Sequence, residues 1–365
     1  MTPRINWPAL AAGWALAYGL LALHWTAGGA GFPFGAADPD PGIAKGLSIL
    51  GGVHRSTAAP VIAAAALGAA LVAGLLAAGA RLAVPARAGA ALEAAAWTVA
   101  LALGVVVPDY RPLVALGHVP VLLAGKPFGW PDGVSVASQL PWPVLHQGIL
   151  MAGGVLFALA ALAHRRARRG ACTTCGRAGL QAPGRDPARW GRAAVWVAAG
   201  VPVVYAATRF AWALGIPLGF SSAQLRDMAE EMPGIWWGGA ALGGMGLIGS
   251  VLTFGLIRPW GERFPRWIPL LRGRRVPISL AVVPAVVVAM AVTSAGLMFA
   301  RVLYLDPDPD KLAMMGPALL WPVWGAALAV AAAAYRTRRR GDCRTCSPRA
   351  SHRPHTAADG LRAGD

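Results

Sequence analysis

Apolar residues fill long, nearly unbroken runs along the chain, and polar residues gather in the intervals between them. Eight of these runs approach or exceed the ~20 helical residues needed to cross a hydrocarbon core of about 30 Å. They lie at 7–26, 57–80, 91–107, 143–163, 193–214, 234–257, 276–300 and 317–335. A run that is apolar on every side leaves no face for water, so each predicts a membrane span. A further apolar piece, 113–124, is too short to cross and is read as re-entrant or interfacial. The intervals are too short for a separate soluble domain, so the expected fold class is all-α, a polytopic transmembrane helix bundle of eight spans.

Composition sharpens this picture. With 56% hydrophobic against 13% charged residues in 365, the chain has too little polar surface to cover a soluble globule. Its 46 Gly and 30 Pro include many that lie within the apolar runs. They would damage soluble helices but are tolerated where neighbouring helices re-satisfy the backbone and small residues allow close approach. The net charge of +17 sits in the intervals between spans, which points to the lipid bilayer as partner and away from nucleic acid.

The cations also set the orientation, because Lys and Arg resist translocation. Eight spans put both termini on one side, together with Arg4, Arg81, Arg87 and the Arg clusters of 165–192, 258–275 and 336 onward. The other side receives only Lys45, Arg55, Arg111, Lys126, Arg226, Arg301 and Lys311, along with acids such as Asp306, Asp308 and Asp310. Both termini are therefore expected in the cytoplasm, in a bacterial plasma membrane. The first run has a single preceding cation and no small-residue cleavage site, so it reads as a retained helix.

The two halves of the sequence resemble each other. After the fourth run comes HRRARRGACTTCG from His164, and after the eighth comes YRTRRRGDCRTCS from Tyr335, aligning Arg165, Arg168, Arg169, Gly170, Cys172 and Cys175 with Arg336, Arg339, Arg340, Gly341, Cys343 and Cys346. Near the first and fifth runs, Tyr18, Trp25, Pro33 and Gly35 meet Tyr205, Trp212, Pro217 and Gly219. The expectation is a duplication: a first four-span repeat over 1–165, an Arg-rich linker at 166–192, a second repeat over 193–335 and a partly disordered tail at 336–365. Units with an even number of spans share one orientation, so an axis along the membrane normal should relate them. After each Pro-x-Gly an amphipathic segment follows. Ser221 and Gln224 have capping-box spacing ahead of Leu225, Met228 and Met232, and Ile43, Leu47 and Leu50 form a similar stripe; both are read as helices lying at the interface in preference to lids. The Ala/Arg/Gly/Pro bias, the Tyr…Trp…Pro-x-Gly pattern and the Arg-run CxxC endings resemble uncharacterised multi-pass membrane proteins of high-GC actinomycetes, a resemblance that implies no activity or residue roles.

Four kinds of residue are candidates for chemistry. Arg209 is the basic residue placed well inside a span, a costly position that marks a pathway, a ligand contact or an ion pair unless the side chain snorkels to a headgroup or to Asp227, Glu230 or Glu231. Trp212 shares its face, and Trp25, beside His24, is the repeat mate of Trp212, so these four form a candidate ligand-binding set of aromatic and cationic groups. His24, His54, His118 and His146 gather at one side of the first half and could ligate haem or copper or serve a quinone, although none are paired at i, i+4 or flanked by acids. Glu93 reads as a hydrated helix-end residue. The two CxxC pairs are the most specific signal: Cys172, Cys175, Cys343 and Cys346 would supply four thiolates to one zinc ion, with Gly176 relaxing the first turn and Ser347 departing from that pattern. Redox thiols and unliganded cysteines are the competing readings, the former lacking a βαβ context. No phosphate-binding glycine loop, HExxH or nucleophile elbow occurs, which argues against an enzyme. The expected function is thus a solute permease or solute-binding membrane component, with a membrane redox enzyme or a zinc-clasped scaffold recruiting a protein partner as alternatives.

Overall fold

The structure is a computed structural model and is described for residues 5–40, 46–79, 85–128, 135–172, 176 and 187–340. Its helices are α1 (Trp7–Thr26), α2 (Arg55–Ala78), α3 (Ala86–Leu101), α4 (Arg111–Gly125), α5 (Trp142–Arg168), α6 (Pro187–Ala213), α7 (Ser222–Glu231), α8 (Ile235–Phe254), α9 (Ile278–Leu305), α10 (Pro309–Met315) and α11 (Trp321–Arg339). Among the described residues, eight helical segments are long and apolar enough to cross a membrane: α1, α2, α3 with its continuation to Val106, α5, α6, α8, α9, and the stretch Pro309–Arg339 that ends in α11. The chain is all-helical apart from one isolated bridge between Arg263 and Arg275 among the described residues. The 15-residue α4, over the doubtful 113–124 piece, is not among the spans.

Helix ends follow local chemistry. Asn6 caps α1 by accepting from the Ala9 N–H, with Pro8 in the first turn where its missing donor costs nothing. Pro143 and Pro322 occupy the same position in α5 and α11. The Ser221–Gln224 capping box forms with both reciprocal bonds and starts α7, whose Leu225 is buried and whose Met228 packs beside it, while Met232 is exposed. The corresponding Ile43 lies outside the described residues. At the other ends, α5 and α11 run on through their Arg residues, placing Arg165, Arg166 and Arg168, and Arg336, Arg338 and Arg339, beside the C-terminal carbonyls, where the helix dipole favours cations.

Within each set of four spans the packing order is the same. In the first, α2 packs on α1, α1 on α5 and α5 on α3; in the second, α8 packs on α6, α6 on α11 and α11 on α9. Small residues allow these approaches. A Cβ at Gly154 of α5 would come within 2.8 Å of the Ala100 carbonyl oxygen, and one at Gly325 of α11 would lie 2.5 Å from the Ala289 carbonyl oxygen. The two glycines of the Pro-x-Gly pairs also behave alike: Gly35 and Gly219 adopt φ of +62° and +78°, a region that L side chains rarely enter. Charge closes the Arg-rich ends. Glu93 is not simply hydrated there; it receives Arg168 at 3.1 Å, and Arg168 also donates to the Ala86 carbonyl.

The two sets meet where α3 passes into a π-helical turn, Ala102–Val106, against α9. The wider turn and the following Pro108 leave carbonyls without their usual helical donors. Buried Ser294 of α9 supplies one: its hydroxyl lies 3.0 Å from the Val105 oxygen and 2.7 Å from that of Pro108, sharing one proton between them. Directly beyond, Arg111 binds Asp109 through Nη2 at 2.7 Å and Asp38 through Nη1 at 2.8 Å, while Gln147 of α5 donates to Asp109 at 2.9 Å. This buried network ties the segment after α1, the end of α3 and the start of α5 into one corner.

Candidate ligand site at Arg209

Tyr205, Arg209 and Trp212 fall at i, i+4 and i+7 on α6, so they project along one face of the helix. The Arg209 guanidinium lies between the other two, its carbon 4.6 Å from the Tyr205 ring centroid and 4.5 Å from that of Trp212. Such stacking holds a guanidinium flat without neutralising it. Trp212 is itself fixed, donating from its indole to the Leu218 carbonyl at 2.9 Å and packing on Phe220 and Trp236. Trp236 in turn donates to the Leu225 carbonyl, so the capped helix α7 braces the wall of the site.

Arg209 neither reaches Asp227, Glu230 or Glu231 nor pairs with any other carboxylate among the described residues. Its Nη2 donates to the Met314 carbonyl at 3.0 Å. Its Nε is buried and donates to no protein acceptor, and the same holds for the indole of Trp321 at the start of α11. Both residues line a cavity of about 350 Å³ whose remaining wall includes Tyr205, Trp236, Leu242 and Phe299. The lining of one cavity therefore combines a cation, two residues that each carry a buried donor without a protein acceptor, and a largely apolar wall. Buried donors are nearly always satisfied in proteins, so two unsatisfied ones on residues that line the same cavity mark it as a candidate site for an acceptor.

Trp25 is buried among Tyr18, Phe32 and His146, and the position matching Arg209 is Ala22. His146 is fully buried, bonded through Nε2 to the Tyr18 hydroxyl at 2.9 Å, and ringed also by Phe34 and Trp142. Thus the structure brings Arg209 and Trp212 together but leaves Trp25 in this separate cluster and His24 exposed beside Gly29. His54 and His118 are exposed as well, so the four histidines do not converge, and no group of three His, Cys, Asp or Glu residues able to hold a metal occurs among the described residues. Of the four cysteines only Cys172 is described. It is half-buried, and its carbonyl accepts from the N–H of Gly176, which adopts φ +73°; Cys175, Cys343 and Cys346 lie outside the described residues.

Two features went unread in the sequence. Trp321 had a visible signal, since Trp-Pro-Val opens both α5 at Trp142 and α11 at Trp321. The Asp38–Arg111–Asp109 network had only a weak one, the polar pair Asp109 and Arg111 enclosed by Pro108 and Pro112 just past a span. Its burial raises the Tyr110 phenol to about 12, through loss of water and the adjacent Asp40 carboxylate, whose Oδ2 accepts the hydroxyl proton at 3.1 Å. Arg111 is also shifted upward: desolvation lowers it, and the hydrogen bonds and charges of Asp109 and Asp38 outweigh that effect. No protein-family model, curated protein or solved structure matches this chain.

Proposed function

We propose that the chain is a multi-pass membrane protein that binds a solute, as a permease or as a solute-binding membrane component, and that the solute is a monoanion with an apolar body. The observation that carries this reading is the Arg209 guanidinium, stacked, without a carboxylate partner among the described residues and with a buried Nε that has no protein acceptor, on a residue that lines a cavity together with Trp321. One uncompensated positive charge favours one negative charge, and the aromatic and aliphatic wall favours a hydrocarbon or aryl body over a sugar or a polyphosphate.

In this reading the two halves are repeats about an axis along the membrane normal, supported by the shared packing order and by the meeting of the third and seventh spans through Ser294. The first repeat has closed its aromatic pocket with His146, and the second has kept its pocket open. The asymmetry of the cations supports a plasma-membrane protein with both termini in the cytoplasm and the Arg209 cavity on the opposite side.

The test is equilibrium binding, in bilayer nanodiscs, of amphiphilic monocarboxylates that vary in chain length and aromaticity. At least one should bind to the native protein, more weakly to Trp321→Phe and 10- to 150-fold more weakly to Arg209→Gln, the roughly 1.5–3 kcal/mol of a charge-assisted hydrogen bond. Binding by none of them, or binding unaffected by Arg209→Gln, refutes the assignment.

A further inference from the structure

The segment between α8 and α9 folds back on itself as a hairpin. The Phe264 N–H donates to the Arg274 carbonyl at 3.0 Å, the Gly273 N–H returns to Phe264, and the Val276 N–H donates to Glu262. The hairpin is anchored to the end of α11 by the Tyr335 hydroxyl on the Gly261 carbonyl at 2.7 Å and by Arg339 on that of Val276 at 3.0 Å. Its tip, however, is turned outward. Trp267 is 79% exposed and Leu270 is 91% exposed, the latter at φ +66°, a strained conformation for a branched residue. Arg258, Arg263, Arg266, Arg272, Arg274 and Arg275 are exposed around it, none in an ion pair among the described residues, because the nearby Glu262 is taken by Arg338. An aromatic and aliphatic tip within a ring of unpaired cations is the composition that settles at a membrane–water boundary.

Behind the hairpin runs an apolar cavity of about 490 Å³. It begins at Trp267 and Ile268 and continues between α8 and α9 as deep as Val288, with Trp324 of α11 in its wall. Along α9 its lining runs from Leu280 to Val288, a rise of ~12 Å, so the cavity is a cleft that follows the span and accommodates part of an acyl chain. The Trp324 indole N–H is buried there and donates to no protein acceptor.

We propose that this hairpin and cleft form a specific site for one anionic phospholipid of the adjacent leaflet, with an acyl chain in the cleft and the phosphate among the hairpin arginines. Two independent observations fix this occupant: the cleft requires a long apolar chain, and the uncompensated guanidinium groups at its mouth require an anionic head. A zwitterionic lipid would satisfy the first only, a soluble phosphate the second only. The site is separate from the Arg209 cavity and does not depend on what that cavity binds.

The full-length protein in a neutral detergent, titrated with phosphatidylglycerol, phosphatidylcholine or glycerol phosphate and examined by native mass spectrometry, tests the proposal. One phosphatidylglycerol should be retained per chain, with phosphatidylcholine at least roughly tenfold weaker, and excess glycerol phosphate should not displace it. Arg266→Gln with Arg272→Gln and Arg274→Gln should erase the preference between the lipids, whereas Ala285→Phe, which plugs the cleft, should weaken both. Equal retention of the two lipids by the native protein, or displacement by glycerol phosphate, overturns the proposal without recourse to any variant.

Discussion

Replacing Arg111 with glutamine exposes how much the far corner of the bundle depends on one buried cation. The native guanidinium meets Asp109 at 2.7 Å and Asp38 at 2.8 Å, and both carboxylates have side chains only 2% exposed. Without it, Asp109 keeps the Gln147 amide and the residue 111 backbone N–H, while Asp38 keeps only the Asp40 N–H among its described partners. Two desolvated negative charges would then face each other with little compensation. Removing one partner from such a buried pair costs about 3–5 kcal/mol, whereas an exposed pair such as Lys311 with Asp306 is screened by water and contributes little. Reversible unfolding of the protein in mixed micelles, comparing Arg111→Gln with Lys311→Gln, measures the difference directly. A triple variant that also carries Asp38→Asn and Asp109→Asn should recover a large part of the loss, because the penalty lies in uncompensated charge more than in lost packing. A single variant within about 1 kcal/mol of the native protein, or a triple variant no more stable than the single, refutes the reasoning.

Other consequences are independent of that network. Gly154→Ala and Gly325→Ala should each destabilise by about 1–3 kcal/mol, since a Cβ at either would press on backbone of the neighbouring span, whereas Gly148→Ala, which meets nothing within 4 Å, should be neutral or mildly stabilising in the same unfolding assay. Tyr110 favours its neutral form in the fold, so its contribution is complete below pH 10, its unfolded value, and is lost as pH rises through about 12; alkaline titration at 295 nm should show one tyrosine ionising near pH 12 that is missing in Tyr110→Phe, and a missing step near pH 10 would contradict the burial described. The four cysteines are proposed to hold one zinc, so near-stoichiometric zinc should accompany the purified protein and disappear with Cys343→Ser and Cys346→Ser together; zinc-free native protein from metal-replete cells would end that idea.

The spans were legible because a membrane helix announces itself by sustained apolarity, a local property. The first run ends at Thr26 in both readings. Boundaries moved where polar residues continue a helix into water: α5 extends to Arg168 past the apolar limit at 163, and α3 begins at Ala86, ahead of 91, with Arg87 in its first turn. The last span gained a preface, the short α10 capped by Asp308, because Pro309 starts a helix well and the polar Asp310 and Lys311 do not prevent one. The cation within a span was equally visible at Arg209. Its surroundings were not, since Met314 and Trp321 are more than a hundred positions away and are brought to it only by α11 packing on α6. Pairings such as Asp38 with Arg111 likewise leave no local trace, because three short polar segments look like ordinary loops until tertiary packing removes the water between them.

The most direct test of the central claim is a charge-matched comparison at the Arg209 cavity, reading thermal stability of the purified protein with octanoate and with octanamide. These ligands share a tail and differ in one negative charge, so the difference between their shifts isolates the guanidinium. Octanoate should stabilise the native protein and octanamide should not. That difference should vanish in Arg209→Gln and persist in Arg226→Ala, where an exposed arginine of α7 is removed and the net charge changes equally. Equal shifts with the two ligands, or a preference for octanoate that survives Arg209→Gln, would contradict the assignment of this cavity as an anion site.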